Sequence, residues 1–247
     1  MVQVKTFYAF NDLRNFSYLI FDDQSGESWV IDPYEADPII DYIKKNALNL
    51  LGILNTHQHH DHIRGNAPLI KAFNAQVHKL HGKEVINLNE TTQIDPLDTP
   101  GHTTDHKAFL LKTGTGPWSL FSGDTLFNSG VGNCKNGGDL GMLYKTTLNL
   151  SKLPRDTTLY PGHDYLKRNL EFALSVEPDN KSVREALKLI PEVSPELRVA
   201  LTLGHEQEVN PFFRLFSEQL RKQLSFSEKS LDDEAIFFKL RTLRDHW

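Results

Sequence analysis

The chain has 247 residues, of which 39% are hydrophobic and 24% charged, and its formal net charge is -5 at pH 7. This composition is typical of a globular protein rather than a disordered one, and the acidic balance argues against nucleic acid as a partner. The length allows one large domain, or one domain with a smaller addition.

Short strands and helices alternate in the first two thirds of the chain. Apolar runs at 29–31 and 50–54 predict two strands, and the segments 76–80, 107–111, 118–121 and 157–160 predict four more short strands. Asp37 and Pro38 predict the N-cap and first residue of a helix. Its apolar face would consist of Ile39, Ile40, Ile43 and Ala47.

The character of the sequence changes after Tyr165. Helical spacing follows, without a clear strand, and we therefore predict a first domain at 1–164 and a second, helical domain at 165–247. Ser230, with Asp233 three residues later, resembles a capping box that opens a last helix. The apolar face of that helix would consist of Ile236, Leu240, Leu243 and Trp247.

The cysteine content and the start of the chain bear on its location. Cys134 is the only cysteine, which excludes an internal disulfide and favours a reducing compartment. We expect it to be an inert loop residue. Residues 1–7 have no apolar signal core, and no stretch approaches a membrane span. The sequence therefore predicts a cytoplasmic protein with no membrane partner.

Four side chains that bind metals well lie within six residues, directly after the predicted strand at 50–54: His57, His59, Asp61 and His62. His57 and His59 can point the same way from an extended loop. If a helix begins near Asp61, its first turn can direct Asp61 and His62 to a second nearby point. One segment can therefore supply ligands to two metal ions.

Three more potential ligands each follow a glycine: His102, Asp124 and His163. The glycine permits a tight turn that brings the side chain close to a metal. Asp124 and His163 also follow predicted strands, where rigid scaffolds commonly present a site.

The Thr-His-X-His-X-Asp-His segment, with the later Gly-His-Thr, Gly-Asp-Thr and Gly-His elements, resembles the metallo-β-lactamase superfamily. The resemblance implies an α+β fold, namely an αββα sandwich with a dinuclear metal site at the mouth of two facing sheets, here with a smaller C-terminal helical domain. It assigns His57, His59 and His102 to the first metal. It assigns Asp61, His62 and His163 to the second.

By the same resemblance Asp124 would bridge both metals together with a hydroxide, so Asp61 and Asp124 are the carboxylates assigned to the catalytic centre. The donor set suits zinc, iron or manganese. His106 resembles a second histidine of the Gly-His-Thr element, and it either orients a ligand or is purely structural. Asp32 is expected beside the site, at a strand end, rather than as a ligand.

Hydrolysis is the chemistry that such a centre supports. Two divalent ions lower the pKa of a shared water from about 15.7 toward roughly 7 and can hold the oxyanion of a tetrahedral intermediate. A thiolate with a pKa of about 8.5 leaves without prior protonation, whereas an amide nitrogen needs a proton donor. The site therefore suits a thioester better than an amide.

The C-terminal third resembles glyoxalase II (hydroxyacylglutathione hydrolase), most clearly in Asn210-Pro-Phe-Phe-Arg and in the segments 160–165 and 169–180. The resemblance implies an enzyme that hydrolyses S-D-lactoylglutathione or a related 2-hydroxyacyl thioester. We also expect a monomer. Tyr165 would contact the glutathione part. Arg241 and Arg244 on the last helix match the basic pair of the family and suit the carboxylates of a thiol, the alternative being a solvated basic face.

The loop after Gly132 departs from the family pattern. The family usually places a basic residue there, an aromatic residue two positions later, and then Glu-Gly. In this chain Asn133 follows Gly132, a basic residue comes later at Lys135, and the aromatic residue is missing. Asn133 and Lys135 are candidate contacts to the thiol, and the identity of that thiol stays open.

Two other functions remain open from the sequence. A persulfide dioxygenase of the same superfamily would bind a single iron through His57, His102 and Asp124. A non-catalytic protein that binds a metal or a metabolite would use the same ligands without turnover. A β-lactamase is disfavoured by the helical tail, and a nuclease by the acidic charge and the lack of an inserted nucleic-acid domain.

Overall fold

Two mixed β-sheets form the centre of the molecule. The structure is a computed structural model that describes residues 1–80, 84–114, 116–190, 194–197, 201–224 and 231–247. The first sheet has the order β1-β2-β3-β4-β5. Its strands are β1 (Val2–Tyr8), β2 (Phe16–Asp22), β3 (Glu27–Ile31), β4 (Asn49–Leu54) and β5 (Gln76–Val77). The first three strands are antiparallel, whereas β3, β4 and β5 run parallel.

The second sheet has the order β13-β12-β9-β8-β7-β6. Its strands are β6 (Ile86–Asn89), β7 (Thr92–Asp98), β8 (Lys107–Thr113), β9 (Ser119–Gly123), β12 (Thr158–Pro161) and β13 (Leu201–Thr202). Only β9 and β12 pair in parallel. A separate short hairpin is formed by β10 (Leu126–Phe127) and β11 (Gly130–Val131).

Helices connect and flank the strands of the two sheets. They are α1 (Ala36–Lys45), α2 (His60–Ile63), α3 (Asn66–Phe73), α4 (Leu140–Leu150), α5 (Leu166–Val176), α6 (Lys181–Leu189), α7 (Leu203–Val209), α8 (Glu218–Leu224) and α9 (Asp233–His246). In the described ranges, no helix combines the length and the apolar character needed to cross a bilayer.

Alternation along the strands creates three apolar layers. In β2, Tyr18 and Ile20 point between the sheets, where they meet Phe109 and Phe121 of the second sheet. Leu19 points the other way, into the layer beneath α1 and α3. The outer face of the second sheet packs against α4, α5 and α9. The order helix, sheet, sheet, helix is the predicted αββα sandwich.

The six predicted strands are present, although the one expected at 76–80 is only Gln76–Val77, and β1, β2, β6 and β7 were not predicted. Several helix details were wrong. The first helix begins at Ala36 after Glu35, not at Pro38 after Asp37, and Ala47 lies beyond its end in a left-handed conformation with φ 51°. The helix expected near Asp61 is two short helices, α2 and α3, separated by Gly65. A Cβ on Gly65 would lie 2.8 Å from the Pro33 carbonyl oxygen, so only glycine fits there.

The C-terminal part also differs from expectation. It contains a short strand, since β13 pairs antiparallel with β12 at the edge of the second sheet. Ser230 lies outside the described residues, and the N-cap of α9 is Asp232, whose carboxylate accepts from the Ala235 N–H at 2.8 Å. On α9, Leu243 and Trp247 are each 45% exposed. The buried face consists of Ile236, Phe237, Leu240 and Arg241.

Candidate metal centre

The loop after β4 is anchored to the end of the neighbouring parallel strand. Asp32 follows β3 with φ 48°, and its carboxylate accepts from the backbone N–H of Thr56 at 2.7 Å and from the Thr56 hydroxyl at 2.6 Å. This pair fixes the backbone immediately before His57. The histidine-rich segment therefore leaves the sheet in a defined direction.

The structure brings all seven expected ligands together at one edge of the sandwich. They form three overlapping groups in which the candidate ligand atoms lie within 4.8 Å of one another: His57–His59–His102, His57–His62–Asp124 and Asp61–His62–His163. The first and third groups are the two sets that the superfamily resemblance assigned to separate metals. Binding of metal by these residues stays a prediction.

Asp124 lies between the two sets. Its Oδ2 is 3.5 Å from His102 Nε2, and its Oδ1 is 3.3 Å from His62 Nε2 and 3.1 Å from His163 Nε2. The carboxylate therefore faces histidines of both sets, which is the position a bridging ligand requires.

The donor atoms fit divalent metal ions. His62 Nε2 and Asp124 Oδ1 are buried and lie 3.3 Å apart, but neither makes a well-aligned hydrogen bond among the described residues. Two buried polar atoms without partners are costly unless another group satisfies them. Imidazole nitrogens and carboxylate oxygens are suited to zinc, iron and manganese.

The charges of these buried groups depend on one another. Burial lowers the pKa of His57, and the neighbouring His62 lowers it further, so His57 is neutral and can offer a lone pair. Burial also acts to lower the pKa of His62. The negative charges and hydrogen bonds of Asp124 and Asp32 have a larger effect, and they hold the His62 pKa well above its usual value. Burial likewise acts against ionised Asp124, yet His163 and His62 keep the pKa of its carboxyl well below its ordinary range. A cation at this point would replace the proton that these carboxylates favour on His62.

Three imidazoles of the predicted ligand set are oriented through their other ring nitrogens. His62 Nδ1 lies 2.9 Å from Asp32 Oδ2. His102 Nδ1 donates to the Asn133 carbonyl at 2.7 Å, and His163 Nδ1 donates to the Leu13 carbonyl at 2.8 Å. Such partners fix both the tautomer and the direction of a ligand ring.

His106 and Asn15 contact the two aspartates of the predicted ligand set. The Asp124 backbone N–H donates to His106 Nε2 at 3.2 Å, and His106 Nδ1 lies 2.8 Å from the Thr99 hydroxyl. Of the two interpretations left open for His106, its contacts favour the orienting one. Asn15, which the sequence did not indicate, donates to Asp61 Oδ2 at 2.9 Å.

A cavity of about 400 Å³ adjoins the metal centre. The five residues predicted to contact the thiol all line it: Asn133, Lys135, Tyr165, Arg241 and Arg244. Tyr165 connects the cavity to the centre, because its ring stacks on the His163 ring at a centroid distance of 5.0 Å. The lining holds four cationic side chains, among them Arg168, and two carboxylates, Asp12 and Asp245.

The cationic residues of the cavity differ in their contacts. Arg241 is buried and donates to backbone carbonyls and to Asp245 at 3.0 Å, so its guanidinium is largely committed within the protein. Arg244 is half-buried, and burial, together with the charges of Arg241 and Arg168, lowers its pKa to about 10. Lys135 is 60% exposed and lies 3.8 Å from Asp245.

Arg168 is the cationic residue of the cavity lining that the sequence analysis missed. It is exposed on α5, three residues after Tyr165, and so lies on the same side of that helix start. That spacing was the signal available in the sequence. Cys134, by contrast, is half-buried, and burial raises the pKa of its thiol to about 11, in agreement with an inert residue.

Comparisons with known proteins identify the family of the chain. Residues 11–107 match the metallo-β-lactamase superfamily, and residues 164–247 match the family described as hydroxyacylglutathione hydrolase C-terminus. The chain is 40% identical to the hydroxyacylglutathione hydrolase of a Polaromonas species, over 99% of both chains.

Solved structures share the fold. A metallo-β-lactamase from Staphylococcus aureus superposes with a TM-score of 0.67 at 21% identity, over 99% of this chain and 71% of that one. The di-iron-bound form of the protein TTHA1623 superposes with a TM-score of 0.55 at 25% identity, over 83% of this chain and 99% of that one.

The full-length similarity to named relatives, the match to the C-terminal family and the assembled histidine and aspartate cluster lead to one conclusion. The chain has the metallo-β-lactamase fold and belongs to the hydroxyacylglutathione hydrolase family.

Proposed function

We propose that this protein is a metal-dependent thioesterase that hydrolyses S-D-lactoylglutathione, or a related 2-hydroxyacyl thioester, to the hydroxy acid and the free thiol. The observation that carries the proposal is the convergence of seven metal-binding side chains beside a cavity lined by four cations. The Polaromonas relative, similar over its whole length, is named for the same activity.

We further propose that the centre binds two divalent ions, with zinc as the first candidate and iron or manganese as alternatives. His57, His59 and His102 would hold one ion, Asp61, His62 and His163 the other, and Asp124 would bridge them. The support is the overlap of the three ligand groups and the di-iron form of TTHA1623. When bound, such ions polarise a carbonyl group and make water a better nucleophile at neutral pH.

The protein's own task at the centre is to keep the ligands in place. Asp32 and the carbonyls of Asn133 and Leu13 hold three of the imidazole rings, and Asn15 holds the Asp61 carboxylate. Because these partners belong to the fold, the ligand geometry exists before substrate arrives. Preorganised groups of this kind need no rearrangement during the reaction.

The adjoining cavity would bind the thiol. Glutathione carries two carboxylates, and guanidinium and ammonium groups are their natural partners. A thiolate leaves without a proton donor, so these residues are needed for binding and orientation rather than for acid catalysis. Contacts of Tyr165, Lys135, Asn133, Arg241 and Arg244 with the thiol remain part of this proposal. A monomeric state and a cytoplasmic location also remain predictions from the sequence.

The test is a hydrolysis assay on S-D-lactoylglutathione beside thioesters of other thiols, with the released thiol measured by a colour reagent. We expect turnover that is lost with a chelator and falls by at least about 100-fold in Asp124→Ala, because even partners outside the ligand set cost 10–100-fold in such sites. Asp98→Ala, which removes an exposed carboxylate of β7, is the matched control and should retain full activity.

Two results would contradict the proposal. Retained activity in Asp124→Ala would show that this carboxylate is not a ligand of the working centre. A single iron per chain with oxygen uptake, and no hydrolysis of any thioester, would favour the dioxygenase instead.

A further inference from the structure

The segment 125–133 connects two parts of the metal centre. It begins next to Asp124 and ends at Asn133, whose carbonyl accepts from His102 Nδ1 at 2.7 Å. Between these points lies the β10–β11 hairpin, and the Gly132 N–H donates to the Thr125 carbonyl at 3.2 Å. A shift of this segment would therefore move both Asp124 and the group that orients His102.

The hairpin is too short to hold its own shape. It has only two residue pairs, Leu126 with Val131 and Phe127 with Gly130, and Ser129 at its turn has φ 62°. Even a longer isolated hairpin is marginal in water. A non-glycine residue in the left-handed region adds a further cost. Other parts of the molecule must stabilise the turn.

Two side chains provide this support: Glu206 within α7, and Asn210 at the C-terminal end of α7. The Ser129 N–H donates to Glu206 Oε2 at 2.8 Å. Asn210 Nδ2 donates to the same Glu206 oxygen at 2.8 Å and to the Gly130 carbonyl at 3.3 Å. Glu206 and Asn210 are both fully buried.

Two further side chains hold the rest of the segment. Asn169 Nδ2 of α5 donates to the Asn128 carbonyl at 3.0 Å. Arg241 Nη1 of α9 donates to the carbonyls of Val131 and Gly132 at 2.7 and 3.2 Å. Three helices of the C-terminal part thus bind consecutive backbone groups of one turn.

Glu206 is the unusual member of this set. Its carboxyl is completely buried, its contacts are the neutral Ser129 N–H and Asn210 amide, and its Oε1 has no hydrogen-bond partner among the described residues. Burying a carboxyl in this way is unfavourable. A neutral apolar residue would pack there at lower cost, but it could not accept the N–H of Ser129.

We propose that Glu206 and Asn210 are positioning residues for the metal centre: they fix the 125–133 segment and, through it, Asp124 and the Asn133 carbonyl that orients His102. The proposal rests on the proposed metal centre, but it does not depend on which thioester is the substrate. It gives the C-terminal helices a second role beside lining the thiol cavity.

The test compares Glu206→Ala, Asn210→Ser and Glu206→Gln. Each folded variant is dialysed against a series of free Zn²⁺ concentrations, and bound zinc per chain is measured by mass spectrometry. The visible spectrum of the Co²⁺-loaded protein is recorded as well. Glu206→Ala and Asn210→Ser should each weaken zinc binding by about 10- to 100-fold, which is the usual effect of losing a residue that supports a metal ligand. Both variants should lower kcat more than they raise KM. Glutamine keeps an oxygen for Ser129 and Asn210 and should restore wild-type binding.

The control is Glu177→Ala, or Glu177→Gln if the alanine variant does not fold. Glu177 is also a buried carboxylate of the C-terminal part, but it binds Arg214 at 2.9 Å and does not touch the hairpin. Its loss should lower Tm and leave zinc affinity unchanged.

Wild-type zinc affinity and an unchanged cobalt spectrum in folded Glu206→Ala and Asn210→Ser would overturn the proposal. An equal loss of zinc affinity in the Glu177 variants would overturn it too, since the effect would then be general destabilisation. Failure of the wild-type protein to hydrolyse any thioester would count against the proposed function alone, because the zinc measurement needs no substrate.

Discussion

Arg168 and Arg244 are the two cavity guanidinium groups best placed to meet an anion. Arg244 donates to Asn169 Oδ1 at 3.1 Å and lies over the rings of Phe172 and Trp247, which leaves part of its fork available. Arg168 makes no ion pair with another residue of the described ranges, and its charge lowers the pKa of Arg244. Two neighbouring positive charges repel each other, so a carboxylate bound between them is stabilised by both and relieves that repulsion.

Arg168→Ala should raise KM for the glutathione thioester by roughly threefold to tenfold, because an exposed charge-assisted contact is weaker than a buried one. The value of kcat should stay unchanged, since Arg168 touches no metal ligand. The measurement is steady-state kinetics with the glutathione thioester and with its ester-blocked form, which lacks a free glycine carboxylate.

Lys167→Ala is the matched control for this prediction. Lys167 is the adjacent cation on α5, but it pairs with Glu171 and does not line the cavity. An equal rise of KM in both variants would indicate long-range attraction rather than a specific contact.

At the level of residues, the sequence predicted which histidines and aspartates would cluster but not the groups that hold them. The clustered residues lie in short local motifs, which the sequence displays directly. Their partners are distant in the chain: Asn15 is 46 residues from Asp61, Asn133 is 31 residues from His102, and Leu13 is 150 residues from His163. Two of these partners act through a backbone carbonyl, which any residue type provides, so no sequence pattern could indicate them.

Gly132, at the end of the β10–β11 hairpin, lies close to the backbone of Asp124. A Cβ on Gly132 would lie 1.9 Å from the Asp124 carbonyl oxygen and 3.3 Å from His102 Nδ1. The first contact involves backbone on both sides, so no side-chain rotation can relieve it. Glycine is required here for close approach of two backbone segments.

Gly132→Ala should therefore displace the hairpin from the metal ligands and weaken zinc binding by about tenfold or more, with a matching loss of kcat. Gly141→Ala is the control, because the nearest atom to its new Cβ lies at 3.4 Å and Gly141 is within α4. That change should keep activity and raise the free energy of unfolding by roughly 0.5–1 kcal/mol. Full zinc affinity in Gly132→Ala would mean that the hairpin can move without effect on the centre.

At the level of elements, the sequence predicted six strands but missed β1, β2, β6 and β7 as well as the short pairings and several helix ends. Residues 108–111 of β8 form a continuous apolar run because all four are buried in the sandwich, and this makes the strand plain in the sequence. The two-residue strands β10, β11 and β13 have too few residues for any alternation. The predicted apolar face of α9 was wrong because Phe237, and not Leu243, faces the core. The packing of α4 against α9 determines which side of the helix is buried.

At the scale of the whole molecule, the C-terminal helices share a core with the second sheet. One apolar cluster contains Leu110 and Leu120 of that sheet together with Phe172, Phe212 and Phe237 of the C-terminal part. A smaller cluster, around Leu170 and Val209, lies within the helices alone. The division at residues 164 and 165 remains a prediction, and this packing favours a single cooperative unit in unfolding.

The buried carboxyl of Glu206 lies where the C-terminal helices meet the hairpin of the sandwich, and it should make the stability of this unit depend on pH. Burial raises the pKa of Glu206 to about 8, from 4.5, although the hydrogen bonds from Asn210 and Ser129 oppose the rise. The unfolded chain releases this proton near pH 4.5, whereas the folded chain keeps it until about pH 8, so the folded state binds more protons in between. The contribution of this proton to the free energy of unfolding is therefore fully present below the pKa of the unfolded chain. It is lost as pH rises toward 8, by about 1.4 kcal/mol per pH unit.

Glu206→Gln removes this proton and should flatten the profile. We expect the free energy of unfolding, measured with urea at fixed free Zn²⁺, to fall less between pH 5.5 and 7.5 in the variant than in the wild type. The difference over that interval should be at most about 3 kcal/mol. Zinc binding has its own pH dependence, but it is common to both proteins and cancels in the difference. Glu208→Gln, a change of an exposed carboxylate on the same helix, should keep the wild-type profile. If the free energy of unfolding depended on pH equally in Glu206→Gln and the wild type, Glu206 would have to be ionised throughout this range. The buried carboxylate would then need a compensating charge, which its present contacts do not provide.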